Sequence, residues 1–541
     1  MAWSGGNTVR PIPHGAPYFT ELLARVNELG PGDLLLFTDW RGDPTQRLDG
    51  PGTEVAQVFA AAARRGVVVK GLLWRSHWDR LRFSEAENRH LGEDIEAAAE
   101  SACVTCASRP ADRTTRNSWC CGTAPNRNAT SPSSGDRPVL GPPRRLLAQR
   151  RPAVRPHGQG VRRPPAVARR PGRDPGAAVG DVEAVFRERW EDPQPLTRNP
   201  LHRLADLLRH EDTLPDPLPP QFPDPPARGP HAVQLLRTYA HRRTRYPFAP
   251  EGERSVARGY LKALRRARAL IYIEDQYLWS PQVAESFAEA LEANPDLLMI
   301  NVLPLHPDQD GALSATPQIL GRDQALSILK RAGGDRVAVY GVENREGVPI
   351  YVHAKVCVID DAWSTIGSDN FNRRSWTYDS ELTCAVLDET LDGREPLDPG
   401  GHGDGARRFP RDLRLTLAQE HLDLTGSSDE DLLDPKAFFA AFADSAAALE
   451  RWHAEGRHGP RPPGRLRLYE TSRMSPWTVA WAAPVLPARV RPRRTPARHA
   501  PQRPVLTRRE VRACRSSCCS CSTPARSRRS ASLRDSDAEQ A

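Results

Sequence analysis

His353-Ala354-Lys355, Asp360, Gly367-Ser368-Asp369-Asn370, Arg374-Ser375 and Asp379-Ser380-Glu381 fall within one thirty-residue window. An imidazole, an ammonium, a hydroxyl and a carboxamide gathered at one point would suit a phosphate diester. Lys355, Ser368 and Asn370 would stabilise charge on the non-bridging oxygens, while His353 attacks phosphorus or delivers a proton to the leaving oxygen. Each piece alone has a blander reading, since a single histidine in an apolar strand is usually a satisfied core residue and a single Gly-Ser-x-Asn is usually a turn. Order and spacing together favour a phosphate site.

Such a site needs elements to hold it. Residues 351–359 alternate small or apolar with polar side chains and meet Asp360-Asp361, which predicts a strand running into a tight turn. In a strand, His353 and Lys355 share one face while Val352, Ala354, Val356 and Val358 pack on the other. Residues 363–366 read as the returning strand, and Gly367 lets the chain approach a ligand closely. Upstream, 255–269 has helical spacing, 270–277 reads as a strand ending in Glu274-Asp275-Gln276, and 297–303 and 336–340 read as further strands with a helix at 325–331. Residues from about 232 to 390 thus make one α/β unit. An opening unit alternates helix 18–29, strand 33–39, helix 54–65, strand 67–74 and helix 85–100, as a mostly parallel layered sheet requires. Between the two, residues 213–230 hold eight prolines, a stiff surface linker. Helical spacing at 412–422 and 435–453 reads as structural.

The window resembles the second HKD motif of the phospholipase D superfamily: His-x-Lys, four residues, Asp, then Gly-Ser-x-Asn. Asn372, Arg374-Ser375 and Asp379-Ser380-Glu381 resemble the phospholipase branch more than the nuclease branch. The resemblance implies an α/β fold of two phospholipase D-like half-domains with layered mixed or mostly parallel sheets, here interrupted by irregular Arg/Pro-rich segments. It implies that each half gives one histidine, one lysine and one asparagine to a shared site. It also implies cleavage through a phosphohistidine, with His353 as the acid, and no metal or other cofactor. The expected site residues are His353, Lys355, Asp360, Ser368, Asn370 and Glu381, with Glu381 fixing a histidine tautomer, Asp360 serving mainly as a turn residue, and Glu274-Asp275-Gln276 shaping the pocket. Trp40-Arg41-Gly42-Asp43 and Trp74-Arg75-Ser76-His77 follow strands and are candidates to line the groove.

The first motif is missing. From 101 to about 178 periodicity is lost, Arg, Pro, Ser and Cys dominate, and no His-x-Lys occurs. Composition alone reads as disorder. A second reading comes from reverse translation of residues 111–121. Taking the last base of each codon with the first two of the next, one permitted codon choice gives Gly-Ser-His-His-Gln-Lys-Phe-Val-Val-Leu. We therefore read 101–178 as disordered or translated out of frame, with the frame regained by a helix at 181–190. The organisation expected is a first half at 10–100 resuming at 179–212, the linker 213–230, a second half at 231–455 and a basic irregular tail at 475–541.

Charge changes meaning on that division. Residues 101–178 carry fifteen Arg against three Asp, and 475–541 fourteen Arg against four acids, so the remainder carries −13 although the whole chain is +9. Basicity confined to those stretches is weak grounds for a nucleic-acid partner. The two stretches also hold eight of ten cysteines. Cys103-x-x-Cys106 with Cys120-Cys121 imitates a zinc signature, but adjacent cysteines make poor knuckle geometry. Cys357 and Cys384 are expected to be buried thiols, and a reducing compartment follows. Without a basic, apolar leader or a long apolar run, a cytoplasmic chain meeting a membrane surface transiently is expected. The expected substrate is a phosphodiester of phospholipid type, and the oligomeric state is open. With one histidine the chain is expected to be impaired. The rivals are a single-motif nuclease-like homodimer pairing His353 from two copies, and a non-catalytic, decayed relative.

Overall fold

The computed structural model describes residues 3–39, 43–75, 104–110, 178–192, 204, 216–242, 245–306, 312–424 and 430–469, all within one unit, Met1–Pro492. Fourteen strands are described: β1 Ser4–Asn7, β2 Leu34–Asp39, β3 Val68–Arg75, β4 Val104–Pro110, β5 His231–Tyr239, β6 Glu253–Arg254, β7 Leu270–Asp275, β8 Leu298–Val302, β9 Val337–Glu343, β10 Pro349–Ile350, β11 Lys355–Ile359, β12 Trp363–Gly367, β13 Glu381–Asp388 and β14 Leu466–Leu468. The closing half, joined at one edge by β1 from the start of the chain, builds an 11-stranded sheet ordered β1-β5-β13-β12-β11-β7-β8-β9-β10, with β6 on β5 and β14 on β9.

This sheet is mixed. β7, β8 and β9 run parallel, joined by the helices Pro281–Ala293 and Ala312–Gly333. The tight turn after β11 makes β11 and β12 antiparallel, as a short hairpin connection must, and β13 returns antiparallel to β12 after the helix Arg373–Thr377. The opening half supplies a separate parallel sheet, β2-β3-β4. β4 lies inside the segment whose composition reads as irregular, so regular structure in the opening half reaches Pro110. The helix expected at 181–190 begins earlier, as Ala178–Trp190. The expected helix 85–100 and the groove candidates Trp40, Arg41, Gly42, Ser76 and His77 lie outside the described residues. Residues 216–230 have no regular structure and are largely exposed, as a proline-rich connection should be.

Two cores sandwich the large sheet. On one face Val352, Ala354, Val356 and Val358 join Tyr272 and Val386 against Phe438 and Phe442 from the helix Pro435–Ala454. On the other Ile271, Ile273, Cys357, Ile359 and Ala385 pack with Val256, Tyr260, Phe287, Phe371 and Trp376. The period-2 pattern thus places Lys355 on the second face, with Cys357 and Ile359. The strand expected over 351–359 is shorter than its pattern. β7 ends at Asp275, the partner of Lys355, so 351–354 leave the ladder and run free of the sheet. β7 itself stops early because the Asp275 carboxylate accepts from Tyr277 N and Leu278 N, both at 2.7 Å, turning the chain.

Candidate active site

At the end of β11, Lys355 is 1% exposed, and its ammonium donates to Gln276 Oε1 at 2.8 Å and to His353 O at 3.0 Å. Gln276 Nε2 in turn donates to Tyr351 OH at 2.7 Å, and the Tyr351 ring lies 5.9 Å from the half-buried ring of His353. Gln276 is therefore a bridge between the lysine and the wall beside the histidine. Behind it, buried Arg322 donates to Gln276 O at 3.0 Å, Tyr277 O at 3.1 Å and Pro304 O at 2.7 Å, clamping the loop after β7. The resemblance gave Gln276 a place in the pocket wall, but its bridge to Lys355 and the Arg322 clamp are not visible in the sequence, because both depend on a fixed loop three strands away in order from β13.

From the neighbouring strand β12, Gly367 brings the chain against β13: a Cβ there would lie 2.1 Å from Thr383 Oγ1 and 2.6 Å from Thr383 Cα. Ser368 follows. Its hydroxyl donates to Glu381 Oε2 at 2.5 Å and accepts from Leu382 N at 3.0 Å, so it ties β12 to β13, where the sequence suggested direct contact with a ligand. Asn370 is 7% exposed and its Oδ1 is buried with no hydrogen-bond partner among the described residues. Phe371 N donates to Asp275 Oδ1 at 3.1 Å, fastening the Asn370 segment to the end of β7. Asn372 caps the helix Arg373–Thr377 through Ser375 N at 2.9 Å, and Arg374 grips Asp379 with Nε at 3.2 Å and Nη2 at 2.6 Å.

Asp360 stands apart from the rest. It sits five residues from Lys355 along β11, roughly 16 Å at strand rise. Its carboxylate accepts from the amides of Arg268, Ala269 and Leu270 at 2.8, 2.9 and 2.8 Å. Asp360 and Asp361 both take positive φ, 51° and 50°, making the turn. Asp361 is held by Arg411 Nε at 2.9 Å and by Arg414 Nε and Nη2 at 2.7 Å, which anchors the helix Arg408–His421 under the turn. The motif's aspartate thus sets the strand's position from the end opposite the site. Glu274 departs too: it faces the other core, where Tyr272 OH at 2.5 Å and His421 Nε2 at 2.8 Å meet Oε1.

Burial governs the electrostatics. It pushes the Glu381 carboxyl well above the ordinary range, with the charge of Asp379 adding to it. It raises Asp275 against the opposing pull of Lys355 and of three backbone amides. It carries Asp369 up to about 7, the Thr383 hydroxyl opposing and Asp275 contributing. Cys357 and Cys384 are buried free thiols, the latter pushed up to about 12 by burial. A lysine ammonium beside an imidazole, with carboxyls behind whose charge burial disfavours, is an arrangement that favours an anion.

Comparison with known proteins bears on the segment that carries this site. Residues 260–393 match the family model described as cardiolipin synthase, PLD-like domain. Over 375 residues the chain is 24% identical to phospholipase D alpha 2 of Oryza sativa subsp. japonica, covering 54% of this chain and 44% of the relative. Over 318 residues it is 28% identical to phospholipase D1 of Homo sapiens, covering 50% and 28%. The chain thus spans less than half the length of these relatives. The crystal structure of phosphatidylserine synthase from Haemophilus influenzae superposes with a TM-score of 0.43 at 10% identity, covering 72% of this chain and 84% of that one. By its motif and these sequence matches, the segment 260–393 is a PLD-like domain of the phospholipase D superfamily.

Proposed function

We propose that the site around His353 and Lys355 is one half of a phospholipase D-type centre for a phosphate diester of phospholipid type, and that the chain as written is severely impaired. What supports this reading most is a buried ammonium next to His353 together with an Asn370 side chain whose oxygen has no partner among the described residues. In the full reaction one imidazole bonds to phosphorus as the P–O bond to the leaving alcohol breaks. A second imidazole gives that alcohol its proton, and water then releases the phosphoryl group. His353 supplies the proton. Among 15 histidines in the chain, His353 is the only one followed two residues later by lysine, so the partner nucleophile is lacking. One imidazole cannot be nucleophile and acid in the same step. The out-of-frame reading of 101–178 accounts for the loss.

The test is release of headgroup from short-chain phosphatidylcholine by three proteins: the chain as written, its His353→Ala variant, and a chain with the alternative frame restored across 101–178. The reading expects activity only in the restored chain, abolished there by His353→Ala. Equal activity of the written chain and its His353→Ala variant, with no gain on restoration, would overturn it.

A further inference from the structure

Next to the site, three guanidinium groups come together without a carboxylate. Arg254 caps the start of the helix Ser255–Leu264, and Arg258 lies four residues on, so the two share a helix face. Arg373 opens the short helix Arg373–Thr377, which packs on β5, β6 and the helix Ser255–Leu264. Arg254 and Arg258 are exposed and Arg373 is half-buried. Among the described residues, none of the three has a carboxylate within ion-pair distance.

The nearby acids are taken. Arg237 holds Glu188 at 2.5 Å and Glu253 at 2.7 Å. Glu251 pairs with Arg245 at 3.2 Å and lies 3.7 Å from His241, and Asp379 is held by Arg374. Burial, then repulsion from Arg258 and Arg373, keeps the Arg254 guanidinium below its ordinary value. Like charges gathered with no counter-charge are stabilised by an anion arriving from solution.

The strand register fixes the patch beside the active site. Arg254 pairs with Thr238, and Thr238 pairs with Glu381, so the three residues share one sheet face across β6, β5 and β13. Two strand spacings, roughly 10 Å, separate Arg254 from Glu381, whose carboxyl receives the Ser368 hydroxyl.

We propose that Arg254, Arg258 and Arg373 form an accessory site for a phosphoryl anion on the rim of the active site. Three planar donors suit the non-bridging oxygens of a phosphate monoester or diester. A lipid headgroup in a bilayer and a free phosphate both present this chemistry.

The experiment reads binding, so it stands or falls separately from the phosphodiesterase reading. The full chain and its Arg254→Gln/Arg258→Gln/Arg373→Gln variant are titrated with inorganic phosphate by calorimetry. In parallel they are sedimented with vesicles of phosphatidylglycerol and phosphatidylcholine in equal parts, against phosphatidylcholine alone. The wild type is expected to bind the phosphatidylglycerol vesicles more tightly, with about fivefold lost per arginine and roughly a hundredfold for all three. The corresponding triple Lys variant should keep most of the binding. Phosphate binding that also falls in the Gln variant identifies a free phosphoryl group as sufficient; response of the vesicles alone identifies a membrane headgroup. Should the triple Gln variant fail to fold, Arg258→Gln on its exposed helix surface is read alone, with the fivefold loss expected. Wild-type protein that binds neither probe, or a folded Gln variant that binds both as well as wild type, would overturn the proposal.

Discussion

Replacing Asp369 by asparagine should remove a pH-dependent load from the fold. The carboxyl is 1% exposed, one oxygen takes the Thr383 hydroxyl, and Oδ2 is buried with no hydrogen-bond partner among the described residues. Burial chiefly, then the charge of Asp275 against the opposing Thr383 bond, moves it from 3.8 to about 7. A group whose value rises on folding supports the native state fully below its unfolded value, and that support is lost as pH climbs through the folded one. At about 1.36 kcal/mol per pH unit, the step from 3.8 to about 7 corresponds to roughly 4 kcal/mol. Because the charge of Asp275 contributes to the rise and Asp275 is itself raised, the variant should recover a fraction of that sum. Asparagine keeps an acceptor for Thr383 and places an NH2 where Oδ2 had nothing to accept. Urea unfolding of wild type and Asp369→Asn across this range gives a difference curve in which other carboxyls cancel. The variant should gain on wild type steadily from about pH 4 to about pH 7 and level off above it. A flat difference curve would refute the claim that Asp369 is held protonated by its surroundings.

Other perturbations follow from the same contacts. Asp361→Ala leaves Arg414 buried without its carboxylate and Arg411 with only Asp392 at 3.6 Å, which should cost about 3–5 kcal/mol, read as a lowered denaturation midpoint. Against burial, Arg414 and then Arg411 hold Asp361 below the ordinary range, so its support is complete above that range and fades as pH falls through the depressed value. The Asp361→Ala variant should therefore show a weaker acid transition. Gly367→Ala drives a methyl onto Thr383 and should cost about 1–3 kcal/mol, with Thr383→Ser giving little relief because the Cα also clashes. Gln276→Leu removes an acceptor from the buried Lys355 ammonium, for about 1–3 kcal/mol of stability, while Arg322→Met should loosen the same loop and raise amide exchange at Tyr277 and Leu278.

Much of this fold could be read from residue order. Alternation of Val352, Ala354, Val356 and Val358 identified a core face that the structure fills with Tyr272, Val386 and Phe442. Helices at Val55–Arg64 and Pro435–Ala454 begin and end within a residue or so of their apolar pattern. Other elements escaped for physical reasons. β1 is four residues whose only reason to be a strand is pairing with β5, 224 positions on in the Asn7–His231 contact. The helix Pro281–Ala293 did carry a legible start, since Ser280 accepts from Val283 N and Pro281 follows, a capping signature overlooked beside the motif. At the site, His353, Lys355 and Asn370 came from spacing alone. Gln276 came only as a pocket-shaping residue that the resemblance implied, and Arg322 not at all, because a glutamine's bridge to a lysine 79 residues away exists only once β7 and β11 have paired. Asp360 and Ser368 were legible as motif members but not as what they do, which is to hold backbone amides and a carboxyl rather than a ligand.

The most direct test of the account is a crystal of the full chain soaked in tungstate, a tetrahedral oxyanion that stands in for the phosphoryl group. The account predicts tungsten density within hydrogen-bonding reach of Lys355 Nζ, the Asn370 side chain and the His353 ring, vanishing in Lys355→Ala. Crystals in which those three groups bind no oxyanion, or in which density there persists unchanged without the Lys355 ammonium, would contradict it.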